Sequence, residues 1–303
     1  TNVTFSRPIR WLLALYGTQV VPFEYAGLQS GNTTRGLRFT EPEAILVDSP
    51  AAYYQALKAQ GIILKVAERQ QRILEQVQHL AASVGGEDDP APALLAEVAN
   101  LVEAPLAVCG SFSPEHLNLP REVLVSVMKK HQRYFPVEKR GALIPFFITV
   151  SNQGETVKPD VELIIEGNEH VIRARFADAD FFVREDLRHK LADYLPRLRT
   201  LIFQVKLGSM HDKSQRIRAM VDALAEILGM DETEKLTARR AAELCKADLA
   251  TRMVVEMTSL QGLIGRHYAR LSGESEAVAR AIWEHYLPRS AGDALPQEKP
   301  ALV

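Results

Sequence analysis

From about Gly167 onward every periodic stretch of the chain repeats at helical spacing, whereas the residues before it mix extended segments with helices. A chain that changes its hydrophobic period once cannot bury both halves in one uniform layer, so the expectation is an α+β part followed by an all-helical part. Its 303 residues are about twice the usual domain prior of ~150, and a composition 47% hydrophobic can fill two cores. The boundary is placed near residue 200. Residues 1–200 are expected to form the α+β domain, with a helical insertion near 50–105, and 201–303 a helical domain that is incomplete at its end.

In the first part, "PIRWLLALYG" and "TQVVPFEYAG" read as extended segments, followed by the turn "GNTTRG" and a short strand "LRF". From Pro50 to Ala82 the spacing of Val66, Ile73, Leu74, Val77 and Leu80 predicts an amphipathic helix. "GGEDDPAP" interrupts as a loop, "ALLAEVANLV" resumes helix, "APLAVCGSF" reads as a buried strand and "PREVLVSVMKKHQ" as a helix. "RYFPVEK" and "LIPFFITVSN" then read as two strands joined by the turn "EKRGAL". In the helical part, one helix covers 168–195 and is closed by Pro196. A second starts near Ser209 and stops at Gly229, with Ile217, Met220, Val221, Leu224, Ile227 and Leu228 as its apolar stripe.

Two cysteines, Cys109 and Cys245, stand far apart without metal-ligand spacing, which fits a reducing cytoplasm. No apolar run approaches the ~18 residues that span a bilayer, so no membrane is expected as a partner. The amino end has neither a signal peptide nor an initiator Met, and a piece of a longer chain is expected. Phosphate-cradling loops, dinucleotide fingerprints, GxSxG and HExxH are all missing from the sequence.

His211 and Asp212 spell a dipeptide typical of metal-dependent phosphohydrolases, but two adjacent ligand-type side chains cannot close a metal centre. Ser209 followed three residues later by Asp212 is also a capping box with Asp in place of Glu, and this is the favoured reading. Further ligands are sparse. Asp248 follows Lys246 and Ala247, where a cation opposes divalent binding, and His267 is a lone imidazole. No metal and no catalytic residue is therefore expected.

Basic residues give the stronger signal. Between Val171 and Met220 eleven Lys or Arg oppose six acids, in a chain whose net charge is −2. Arg173, Arg175, Arg184, Arg188 and Lys190 fall in this stretch. A second cluster, "MKKHQRYF", interleaves Lys129, Lys130 and Arg133 with Tyr134, a combination able to hold phosphates and stack on bases. These nine residues are the candidate nucleic-acid contacts. The plainer alternative is a solvated helix face in which Arg173 and Arg175 pair with Asp178 and Asp180.

"FSRPIRWLLALYG", "TRGLRF", "HQRYFPV", "GNEHVIRARFADADFF", "KLGSMHDKSQRI" and "KADLATRMVVEMTSLQGLIGRHYA" together resemble the beta subunit of bacterial tetrameric glycyl-tRNA synthetase, in order, from about Phe5 to Ala269. The resemblance implies an editing-module-like domain, similar to that of phenylalanyl synthetase beta chains, followed by an HD-type helical domain. It implies a chain that contributes tRNA(Gly) binding in an α2β2 complex. ATP and Mg would act at the alpha subunit, and this piece would need no cofactor. In the family position 212 begins an Asp-Lys motif, and the His-Asp pair of an active HD hydrolase would fall at Ala247 and Asp248, where the histidine is missing. Leu37 departs from a frequent His. A metal phosphohydrolase and an editing hydrolase remain as alternatives.

Overall fold

The computed structural model describes residues 9–37, 44–88, 91–153 and 160–303. They form two compact units, residues 1–114 with 128–173 and residues 115–127 with 174–303. The first is α+β and the second predominantly helical, as the change of period predicts, but the expected boundary at 200 falls inside the second unit. The division instead passes through a continuous helix, Val161–Asp186, and no turn signal marks it in the sequence.

In the first unit, helices α1 (Pro50–Ala59), α2 (Val66–Ser83) and α3 (Pro92–Leu101) accompany a four-stranded antiparallel sheet. Its strands are β1 (Glu87–Asp88), β2 (Pro105–Ser111), β3 (Phe135–Lys139) and β4 (Ala142–Asn152), in the order β1-β3-β4-β2. The long β4 runs beside β2 from Phe146↔Ser111 to Asn152↔Pro105, and returns from β3 through Arg140 and Gly141, both at positive φ, as a tight hairpin turn requires. Ile73, Val77 and Ala81 of α2, Leu94 and Val98 of α3, Phe135, Val137 and Ile148 of the sheet make one core. Burial of such apolar area stabilises by roughly 25 cal/mol per Å².

The helix expected over 50–82 is broken between α1 and α2. Gly61 takes φ 73°, and the Arg69 guanidinium donates to the carbonyls of Ile63 (2.6 Å), Leu64 (2.8 Å) and Ala99 (2.8 Å), fixing the connection against α3. Gln76, also on α2, accepts from Ala107 N–H at the open edge of β2 (2.9 Å). Upstream, short strand pairs lie within 12–34 and at 45–46. Part of "GNTTRG" is not turn but strand, with Thr33–Thr34 paired to Ile45–Leu46. The expected strand "LRF" lies outside the described residues from position 38 on.

In the second unit, α4 (Arg121–Ser126) and the end of α5 (Val161–Asp186) are joined by a 3-10 segment (Leu191–Thr200), a hairpin of β5 (Ile202–Gln204) and β6 (Gly208–Ser209), and α6 (Met210–Ile227). Then come α7 (Glu232–Leu244), α8 (Arg252–Glu256), α9 (Leu263–Leu271) and α10 (Glu276–Glu284). The helix expected over 168–195 ends at Asp186 instead, and Pro196 lies within the 3-10 segment. Asp186 is the reason. It prolongs the buried stripe Phe176, Ala179, Val183, and its carboxylate accepts from Arg252 N–H (2.9 Å), Met253 N–H (3.0 Å) and the hydroxyl of Tyr268 (3.1 Å). The Tyr194 hydroxyl donates to its carbonyl (2.9 Å). A buried carboxylate is tolerated only with such partners. On α6, Val221 and Ala225 meet Met230, Ala238 and Ala242, whereas Met220 and Ile227 of the expected stripe face solvent.

Candidate nucleic-acid interface

The basic cluster of the first unit is built on an unusual turn. After α4 the helix widens into a π-helical segment, Val127–Gln132, which Tyr134 N–H closes by donating to Met128 O (2.9 Å). Such wide turns are rare and often occur at functional sites. Lys130 and Arg133 are exposed and Lys129 is half-buried. Arg133 takes φ 58°, and its Nε donates to Glu97 at 2.9 Å, so part of its charge is matched by a carboxylate.

Tyr134 does not stand where a base could reach it. It is 4% exposed, its ring is stacked on Phe147 with centroids 4.7 Å apart, and its hydroxyl donates to Asn168 Oδ1 (2.6 Å). Burial pushes its phenol up to about 12. The sequence pattern "RYF" placed an aromatic next to cations correctly, but β3 begins there and turns the ring into the unit. As a stacking contact for bases the residue is corrected to a core residue.

Of the five candidates beyond Tyr134, Arg173 is exposed on α5 in the first unit, and Arg175, Arg184, Arg188 and Lys190 are exposed in the second. Asp180 pairs with Arg184 (2.5 Å) rather than with Arg175, and Arg188 pairs with Glu185 (3.0 Å). Exposed pairs of this kind are worth ~0–1 kcal/mol and leave a cation available to a phosphate. Lys190 precedes the 3-10 segment, where its N–H donates to Asp193 (2.9 Å).

His211 and Asp212 open α6. Ser209 N–H and Oγ–H both donate to Asp212 Oδ2 (2.7 and 2.8 Å), and Asp212 N–H donates back to Ser209 Oγ (3.2 Å). Hydrogen bonds from the Ser209 backbone and hydroxyl hold the Asp212 carboxyl below its usual range. The capping box is the structural role of this motif.

Asp248 and Lys246, adjacent in the sequence to the missing histidine, lie in the interior, and the sequence carries no local sign of that burial or of the partners His285 and Tyr286. The Asp248 side chain is fully buried, Oδ2 accepts from Gly262 N–H (2.5 Å), and burial pushes the carboxyl up to about 6. Lys246 is also buried, which pushes its amine down. Its Nζ lies 2.6 Å from His285 Nε2 and 4.0 Å from the Tyr286 ring centroid. His285 Nδ1 faces the Ile282 carbonyl at 2.7 Å, which can only accept, so the ring proton sits on Nδ1 and Nε2 accepts from Lys246. Burial first, then the Lys246 charge, pushes this imidazole down to about 3. An ammonium in the place where a metal ligand set would need anionic donors is the wrong chemistry for a divalent ion.

The family model described as glycyl-tRNA synthetase beta subunit matches residues 1–303. The chain belongs to that family. It is 47% identical over 297 residues to the glycine--tRNA ligase beta subunit of Desulforamulus reducens, covering 98% of this chain and 42% of the relative. It is 46% identical over 300 residues to that of Desulforudis audaxviator (99% and 43%), and 44% over 300 residues to that of Bacillus subtilis (97% and 43%). The chain thus spans about two fifths of the length of these beta subunit relatives. Among the described residues no helix is long and apolar enough to cross a membrane.

Proposed function

We propose that this chain is the part of a glycine–tRNA ligase beta subunit that contributes tRNA binding to the ATP-dependent attachment of glycine to tRNA(Gly). The α+β unit is read as the editing-module-like domain and the helical unit as an HD-type domain. ATP, Mg and glycine act on the alpha subunit of the α2β2 enzyme. The observation that carries this reading is the family match over residues 1–303. The exposed cations Lys130, Arg173, Arg175, Arg184, Arg188 and Lys190 supply the electrostatics that a polyanion needs. A phosphohydrolase reading is disfavoured, because Asp212 is engaged in its cap and Lys246 occupies the interior beside Asp248.

The test is tRNA(Gly) binding across a salt series, with and without the alpha subunit, together with glycine-dependent pyrophosphate exchange. Salt-sensitive binding, and exchange that needs the alpha subunit, support the reading. Exchange by this chain alone, or no tRNA binding in either state, overturns it.

A further inference from the structure

The motif "GNTTRG" contributes to a hollow that none of the nine candidate contacts lines. Leu12–Leu13 pairs in parallel with Leu28–Gly31, and the chain then runs through Asn32 into Thr33–Thr34, which pairs with Ile45–Leu46. Among these short ribbons lies a pocket of about 170 Å³, lined by Arg10, Trp11, Thr33, Thr34, Arg35 and Ala44. Its walls are fixed by their neighbours. Thr34, Leu37 and Val47 are buried, Val47 N–H donates to the Asn32 carbonyl (2.7 Å), and the Gly36 backbone lies so close to the Gln60 side chain that a Cβ would collide with it. A site held in this way loses little conformational freedom when a ligand enters.

The lining is cationic and rich in donors. Each guanidinium carries five N–H donors in a planar fork, and each threonine adds a hydroxyl. Among the described residues neither Arg10 nor Arg35 has a carboxylate partner. Two such cations around one small hollow repel each other, and an anion between them removes that cost. A carboxylate has two oxygens to offer, whereas a phosphate group has more and meets donors from several directions. Size narrows the ligand further. The hollow is smaller than the ~300–1,000 Å³ of pockets that enclose a whole small molecule, so what enters is one group of a larger ligand. Trp11 lines the same hollow and is 40% exposed, and the Arg35 Cζ stands 6.0 Å from its ring centroid. A phosphate beside an open aromatic ring matches the repeating unit of single-stranded nucleic acid, a charged backbone with a base to stack.

We propose that the pocket between Arg10 and Arg35 seats a backbone phosphate from a single-stranded stretch of the tRNA, with the adjoining base stacked on Trp11. This rests on the tRNA-binding reading above and adds a contact to it. The experiment uses the full-length beta chain with its alpha subunit and measures tRNA(Gly) affinity across a salt series. Wild type is compared with Arg10→Gln/Arg35→Gln and with Trp11→Leu. All three side chains are exposed, and circular dichroism checks that each variant is folded. The double variant is expected to bind about tenfold more weakly, because charged hydrogen bonds are lost. Both guanidinium groups share one phosphate, so the slope of log affinity against log salt should fall by about 0.7, the value for one single-strand phosphate. Trp11→Leu is expected to weaken binding about tenfold with the slope unchanged, since stacking releases no counterion. Wild-type affinity in either folded variant overturns the proposal. Binding of inorganic phosphate, followed by calorimetry, is the second measurement: phosphate that binds the wild-type complex and is not blocked by tRNA(Gly) makes this a free-phosphate site and also overturns it. A wild-type complex that binds no tRNA(Gly) removes the tRNA-binding reading itself, and this contact with it.

Discussion

At Tyr134 one hydroxyl distinguishes a structural residue from a binding one. Tyr134→Phe keeps the ring on Phe147 but leaves the Asn168 acceptor without its donor, which should cost about 1 kcal/mol in urea unfolding while tRNA affinity stays at the wild-type value. A fall in affinity without a fall in stability would return the ring to the interface. Asp248 makes a second residue-level prediction. Its folded carboxyl is raised to about 6, above its value in an unfolded chain, so its stabilising contribution is full below about pH 4 and is lost as pH rises through about 6. In that window the slope approaches about 1.4 kcal/mol per pH unit for one proton. Asp248→Asn should flatten the pH dependence of the midpoint between pH 4 and 6, and an unaltered profile would show that another group is responsible. Asp212 was legible as a cap because its partner lies three residues away. Tyr134, Asp186 and Lys246 were not, since the atoms that define their roles lie 13 to 82 residues distant in sequence.

Whole elements were legible where their start and stop signals are local. α6 begins at its Ser209 cap and is followed by Gly229, and β3 and β4 meet at the Arg140–Gly141 turn, as the spacing implies. The two broken helices were not, because apolar spacing continues across each break. Arg69 reaching Ala99, and Asp186 reaching α8, decide those ends through tertiary contacts. A close approach inside the sheet gives the prediction at this scale. A Cβ on Gly110 would lie 2.6 Å from Phe147 Cζ, and Phe147 is fully buried and backed by Tyr134. Gly110→Ala should therefore destabilise the fold by about 1–3 kcal/mol, read as a lower urea midpoint with an unchanged m-value. A neutral result would mean that β2 and β4 can separate locally without cost.

For the molecule as a whole, the net charge of −2 conceals basic stretches, and only a salt series separates them from ordinary solvated faces. Removing a cation that neutralises one duplex phosphate should lower the slope of log affinity against log salt by nearly one. Lys129→Ala/Lys130→Ala and Arg173→Ala/Arg175→Ala are each expected to lower it by about one to two, with folding checked by circular dichroism. If neither pair moves slope or affinity, tRNA docks elsewhere, and Arg184, Arg188 and Lys190 become the next variants. The order of the chain matters during synthesis. Residues 115–127 belong to the second unit, and Ser126 meets Ser259 (3.2 Å) across 133 residues of sequence. At ribosomal rates of ~5–20 residues per second, roughly 7–27 s separate the emergence of these two partners. Through that interval Val123, Leu124 and Val127, all buried in the finished protein, have no completed core to enter. The nascent chain therefore offers a chaperone-sized apolar segment for many seconds, and production of the folded protein should depend more on holdase capacity than on its equilibrium stability.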